Sequence, residues 1–89
     1  MDIEFDPAKD AINIVKHGVS LTFGARIWAD EAVIVIPTIR IDDGERRFRA
    51  IGVIEERLWT AVHVHRGSRI RMISVRRSND GERHIYDSA

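Results

Sequence analysis

The alternation of apolar and polar positions divides the chain into short elements. "DIEF" at the start predicts a strand. In "DPAKDAINIVKHG", Ala8, Ala11, Ile12 and Val15 recur at helical spacing and predict an apolar stripe along one side of a helix. Asp6 is a good N-cap, and Pro7 takes the first helical position, where its missing N–H costs nothing. Gly18 is a natural stop after Lys16 and His17, whose positive character suits a helix C-terminus. The opposite face carries Lys9, Asn13, Lys16 and His17. Ser20 caps a second helix over "LTFGARIWA", with Leu21, Ala25 and Trp28 as its buried line, Ile27 beside them and Gly24 as a local weak point.

The period then changes from helical to alternating. "AVIVIP" predicts a buried strand closed by Pro37, and "IDDGE" a turn. "RRFRAIGVI" and "LWTAVHVH" are strands separated by a turn at "EER". After the short loop "RGS" comes the strand "RIRMISVRR". Strict alternation puts Ile70, Met72, Ser74 and Arg76 on one of its faces, and Arg69, Arg71, Ile73, Val75 and Arg77 on the other. Ser78, Asn79 or Asp80 caps a short C-terminal helix. One domain over residues 1–89 follows: α+β, with an antiparallel sheet of four to five strands, two N-terminal helices packed on one face and a short C-terminal helix.

Charge changes the picture more than composition does. The 89 residues carry 14 Lys+Arg and 14 Asp+Glu. This neutrality argues against coating nucleic acid by bulk charge and sends any anion site to local clustering. Twelve of the 14 cations are arginine, a planar fork suited to phosphate or carboxylate oxygens. Five of those arginines fall between Arg66 and Asn79 with no acid among them. The N-terminal acids are expected to balance the cations from another face. The absence of cysteine excludes a disulfide scaffold, thiolate zinc sites and a cysteine nucleophile, and fits a reducing cytoplasm. The start "MDIEFD" is the reverse of a signal peptide's, and the longest aliphatic run, "AVIVI", is far short of a membrane span.

Several groups have chemistry to offer. Arg46, Arg47 and Arg49 open one strand and Arg76 and Arg77 close another. Strands paired in order are expected to bring them to one end of the sheet, as a phosphate site or as a solvated face paired to Glu45, Glu55, Glu56 and Glu82. His17 titrates near neutrality and is either an acid–base group or a cation answering the helix dipole. Glu45, beside two arginines, is a base or an ion-paired turn residue. His63 and His65 lack a third ligand at matching spacing, so they read as a packed pair, and neither metal nor cofactor is expected.

"FDPAKDAINIVKHGVSL" resembles the opening of BrnT-type toxins through Asp6, Lys9, Asn13, Lys16, His17, Gly18 and Val19. "GERRFRAIG" resembles that family's Glu–Arg–aromatic–x–x–Ile–Gly segment through Glu45, Phe48, Ile51 and Gly52, with one more residue than usual, so either Arg46 or Arg47 corresponds. "RIRMISVRRSNDGERHIY" resembles its closing block through Arg71, Ile73, Ser74, Arg76, Arg77, Glu82, Arg83 and Tyr86. The sequence departs from the family where Phe5 replaces Trp, Leu21 replaces Phe, and Val75 and Ser78 replace Ala.

The resemblance implies a RelE-like fold and a ribonuclease toxin of a type II toxin–antitoxin module that arrests translation in the cytoplasm. It implies no cofactor. The implied partners are an RNA substrate and a BrnA-like ribbon–helix–helix antitoxin, through which alone the toxin would meet operator DNA. The implied reaction is metal-independent cleavage by the RNA's own 2′-hydroxyl. On that reading Arg76 and Arg77, with Arg46 or Arg47, are the phosphate and transition-state cations. Lys16 and His17 are the proton-transfer groups, and Glu45 is an alternative base or the orienter of an arginine. Arg47, Arg49 and Tyr86 are the RNA-binding candidates. The rival reading is a non-catalytic RNA- or protein-binding module of the same fold, a degenerate toxin.

Overall fold

The computed structural model describes the backbone of residues 2–42 and 45–89, and the side chains of all of these except 39–42. The order is β1 (Asp2–Glu4), α1 (Pro7–His17), a 3₁₀ helix (Leu21–Ala29), β2 (Ile34–Asp42), β3 (Glu45–Ile54), β4 (Arg57–Arg66), β5 (Arg69–Arg77) and α2 (Asp80–Asp87). In the expected "IDDGE" turn, Asp43 and Gly44 lie outside the described residues. The strands form one sheet in the order β1-β5-β4-β3-β2.

The sheet is mixed, not wholly antiparallel. β2 to β5 form an antiparallel meander, but β1 joins the free edge of β5 in parallel, Asp2 to Glu4 against Arg69 to Arg71. The two helical segments between β1 and β2 provide the long connection that lets the first strand return beside the last. β2 also runs through Pro37, which was expected to end it. It is an edge strand whose register shifts between Pro37 and Ile41, and there a missing N–H is tolerated.

The first helix has the caps its sequence predicts. Asp6 accepts from the Ala8 N–H at 2.9 Å, and Gly18, at φ 78°, donates to the Ile14 carbonyl. Its orientation is the reverse of expectation. Ile12 is 63% exposed and Val15 89%, and Ala8 and Ala11 are exposed too. The buried residue of α1 is Asn13. Its side-chain amide accepts from the Val75 N–H at 3.0 Å and donates to the Val75 carbonyl at 2.9 Å. It therefore continues along β5 the pairing that β1 leaves unfinished. Satisfying those buried backbone groups outweighs burying the aliphatic stripe. Asp10 adds a second tie by accepting from the Leu21 N–H at 2.7 Å.

The second helical segment spans the expected residues as a 3₁₀ helix rather than an α-helix. At three residues per turn its buried line is Leu21, Gly24 and Ile27, not Leu21, Ala25 and Trp28. Gly24 is required there, because a Cβ would lie 2.5 Å from Cγ2 of Val75. This helix covers one sheet face over Ala50, Ala61, Met72 and Val75. Phe23 meets Trp59 edge-on with ring centroids 5.0 Å apart. No described residue of α1 belongs to that core cluster.

On β5, strict alternation fails at a bulge. Val62 pairs with Ser74 and His63 with Met72, so Ile73 is the extra residue. Met72 and Val75 therefore both point into the core. Arg71, expected on the face opposite Arg76, is returned to the Arg76 side.

Candidate active site

The face away from the 3₁₀ helix is bordered by α1 and α2. Cross-strand register sets its floor in rows. Arg47 is level with Val64 and Arg71, Arg49 with Val62 and Ser74, and Ile51 with Thr60 and Arg76. Alternate strands of an antiparallel meander run the same way, so the start of β3 is level with the start of β5. Arg46 and Arg47 therefore do not meet Arg76 at one end of the sheet, as had been expected. At about 3.3 Å per residue the Arg47 and Arg76 rows are about 13 Å apart.

The arginine that does reach Arg76 is Arg49, through a carboxylate. Glu82, in the first turn of α2, is 1% exposed. Its Oε1 accepts from Arg76 Nη1 at 2.7 Å, Thr60 Oγ1 at 3.0 Å and the Asn79 N–H at 3.0 Å. Its Oε2 accepts from Arg76 Nη2 at 2.8 Å and Arg49 Nη1 at 3.0 Å. Asn79 in return accepts from the Glu82 N–H, which completes a capping box and fixes how α2 enters. Burial pushes the Glu82 carboxyl up, but Arg76, Asn79 and Arg49 overcompensate and hold it at about 2. The same pairing raises Arg76 above its ordinary value, against the opposing pull of burial. Three of the five Arg76 N–H donors are engaged by Glu82 and the Arg77 carbonyl among the described residues, leaving two for an incoming oxygen. Two guanidiniums against one carboxylate leave the cluster with net positive charge.

The C-terminus of α1 faces this cluster. Lys9, Lys16 and His17 line a cleft of about 130 Å³ whose sheet side is Ile73 and Ser74. The His17 imidazole is held below its ordinary value by partial burial, then by Lys16, then by Arg76. Its neutral form is therefore favoured, and both cations contribute to that. Lys9 and Ile73 also line an adjoining hollow of about 150 Å³ with Arg47, Arg66, Arg71, Asp6 and Glu45; four cations against two acids make the trough along this face net basic.

The remaining candidates lie elsewhere. Glu45 is engaged by Arg66 through two bonds, of 2.8 and 3.2 Å, at the Arg47 end of the trough. Arg46 is exposed and has the parity of Phe48, on the other face. Arg77 lies over the Trp59 ring at 5.6 Å, also away from Arg76. Tyr86 donates to Asp30 Oδ2 at 2.6 Å, which drives the phenol up to about 12 and the Asp30 carboxyl down. His63 is buried among Trp28, Phe48 and His65, and among the described residues no group of three potential ligands could hold a metal. Nor do the N-terminal acids stay on another face, since Glu4 pairs with Arg71 at 2.8 Å.

A larger hollow, about 570 Å³, is not this site. It carries Asp30, Glu31 and Glu55 against Arg26 and would repel a polyanion. Pattern reading named Glu82 as one of four acids that could pair the arginines, and it does pair Arg49 and Arg76, but its organising role went unread although the Asn79–x–x–Glu82 spacing is a capping-box signature. Nothing local marked Asn13 as a sheet partner.

No curated protein matches the chain. The model of the family described as "Ribonuclease toxin, BrnT, of type II toxin-antitoxin system" matches residues 5–82, a span that takes in α1, the whole sheet from β2 to β5 and Glu82. With a match over most of its length, this chain belongs to the BrnT family of ribonuclease toxins of type II toxin–antitoxin systems.

Proposed function

We propose that the chain is an endoribonuclease that cuts RNA at the cleft between the α1 C-terminus and the Arg76–Glu82–Arg49 cluster, and so inhibits translation. The observation that carries this is the convergence of the His17 imidazole, whose neutral form is favoured, with the cations Lys16 and Arg76 on one sheet face. His17 takes the proton of the RNA 2′-hydroxyl, and the 2′-oxygen attacks the adjacent phosphorus. Arg76, held in place by Glu82, faces the charge that builds on the non-bridging oxygens, and pre-organisation spares the reorganisation a mobile arginine would require. Lys16 supplies the proton to the departing 5′-oxygen. The products are a 2′,3′-cyclic phosphate and a 5′-hydroxyl. Because the nucleophile belongs to the substrate, the reaction needs no metal and no nucleophilic side chain.

Arg47 and Arg71, with Lys9, line the trough that continues from the cleft and hold the backbone of the bound strand. Neutralisation falls to a BrnA-like ribbon–helix–helix antitoxin, which also provides the DNA contacts at the operator. The test is a labelled RNA incubated with the purified chain in EDTA. The expected result is cleavage to cyclic-phosphate ends, reduced at least about 100-fold in His17→Ala and in Arg76→Ala. Binding of the RNA without products refutes the enzyme and leaves a binding module.

A further inference from the structure

The aliphatic side of α1 has no partner within the chain. Val15 is 89% exposed, Ile12 63% and Ile14 46%, and Ala11, Ile12, Val15 and Lys16 line a shallow groove of about 320 Å³. Asn13 and Asp10 fix this orientation from the opposite side, so the stripe cannot roll inward without breaking the bonds to Val75 and Leu21. Scattered exposed aliphatics are ordinary, but a contiguous stripe held outward along a helix marks an interaction surface. Its flanks say what covers it. The exposed charges of α1 are Lys9 and Lys16, both positive, while its one acid, Asp10, is half-buried and spent on the Leu21 N–H. A second copy of this chain laid on the stripe would bring lysine against lysine. An apolar segment edged with carboxylates fits both the aliphatics and the charge.

We infer that this stripe is the docking surface for the antitoxin, which lays an amphipathic segment, apolar on one side and acidic along its border, over Ala11, Ile12 and Val15. The inference rests on the toxin reading above and adds how the site is silenced. Lys16 and His17 are the next residues on the same helix, so the acidic border of the seated segment lies on the cleft and neutralises its cations. One partner thereby buries the stripe and blocks RNA.

The test uses Val15→Glu and Ala11→Glu, both at exposed positions outside the catalytic cleft. An antitoxin of the proposed BrnA-like ribbon–helix–helix class is titrated against each by calorimetry, and RNA cleavage is measured with and without it. Both variants are expected to fold and to cut RNA like the wild type. Their affinity for the antitoxin is expected to fall about 100-fold, because a carboxylate would be buried among apolar and acidic groups. Cleavage then continues at antitoxin concentrations that silence the wild type. A loss of affinity below about threefold in both variants overturns the inference, and so does a concentration-dependent dimer of the chain alone that Val15→Glu dissolves. Failure of the wild type to cut RNA while these binding losses are seen sinks the nuclease reading and leaves the docking surface standing.

Discussion

Replacing Glu82 with glutamine keeps the shape of the side chain and removes the anion on which the site is built. Both carboxylate oxygens are acceptors, Oε1 for Arg76, Thr60 and the Asn79 N–H, and Oε2 for Arg76 and Arg49. An amide offers one oxygen and one NH₂. Whichever way it is turned, at least two donors then face another donor. The group is buried, and its folded-state value of about 2 against an ordinary 4.5 corresponds to about 3 kcal/mol of stabilisation at neutral pH. Removing one partner of a buried ion pair typically costs about 3–5 kcal/mol, which agrees. Because the folded carboxyl lies below its unfolded value, this stabilisation is complete above about pH 4.5 and is lost as pH falls toward 2. Urea unfolding followed by circular dichroism should therefore show Glu82→Gln less stable than wild type by about 3 kcal/mol at pH 7, with the two curves converging below pH 4. A difference under about 1 kcal/mol at pH 7, or one that persists unchanged to pH 2.5, refutes the claim that Glu82 holds the cluster as an anion.

Three further outcomes follow from the same geometry. The His17 imidazole lies below its ordinary value, so cleavage should be flat through pH 7 and fall only on the acid side of 6.5; Lys16→Met should raise the His17 value in an NMR titration, and no change would remove the proposed coupling. Gly24→Ala places a methyl 2.5 Å from Val75 and should lower stability by about 1–3 kcal/mol in thermal unfolding; a neutral effect would mean the 3₁₀ helix is not seated as described. Glu55 and Glu56, at φ 50° and 68°, form a two-residue hairpin that asparagine and glycine adopt more readily, so Glu55→Asn with Glu56→Gly should stabilise the chain by about 1 kcal/mol, checked by urea midpoint.

Local physics made much of this chain legible in its sequence. The Asp6–Pro7 start and the Gly18 stop of α1 depend on neighbours a few residues away, and they stand as the pattern predicts. So do the positions of β3, β4 and β5 in the meander, and the family, whose opening and closing blocks lie in the residues themselves, whereas β2 runs on past Pro37. Of the candidate site residues, Lys16, His17 and Arg76 are brought toward one cleft, while Glu45, Arg46, Arg77 and Tyr86 are held elsewhere.

What only the tertiary structure decided turns on three non-local facts. One extra residue, Ile73, reverses the parity of β5, and no local pattern announces where a bulge falls. The neighbours of Arg76 are set by the meander, whose alternate strands align start with start, so that Arg76 meets Arg49 through the α2 residue Glu82 and does not reach Arg47. The outward turn of α1 was hidden for the same reason. Periodicity finds an apolar stripe, but it cannot tell that a single buried asparagine, answering the open edge of a strand 62 positions away, pins the opposite side of the helix to the sheet.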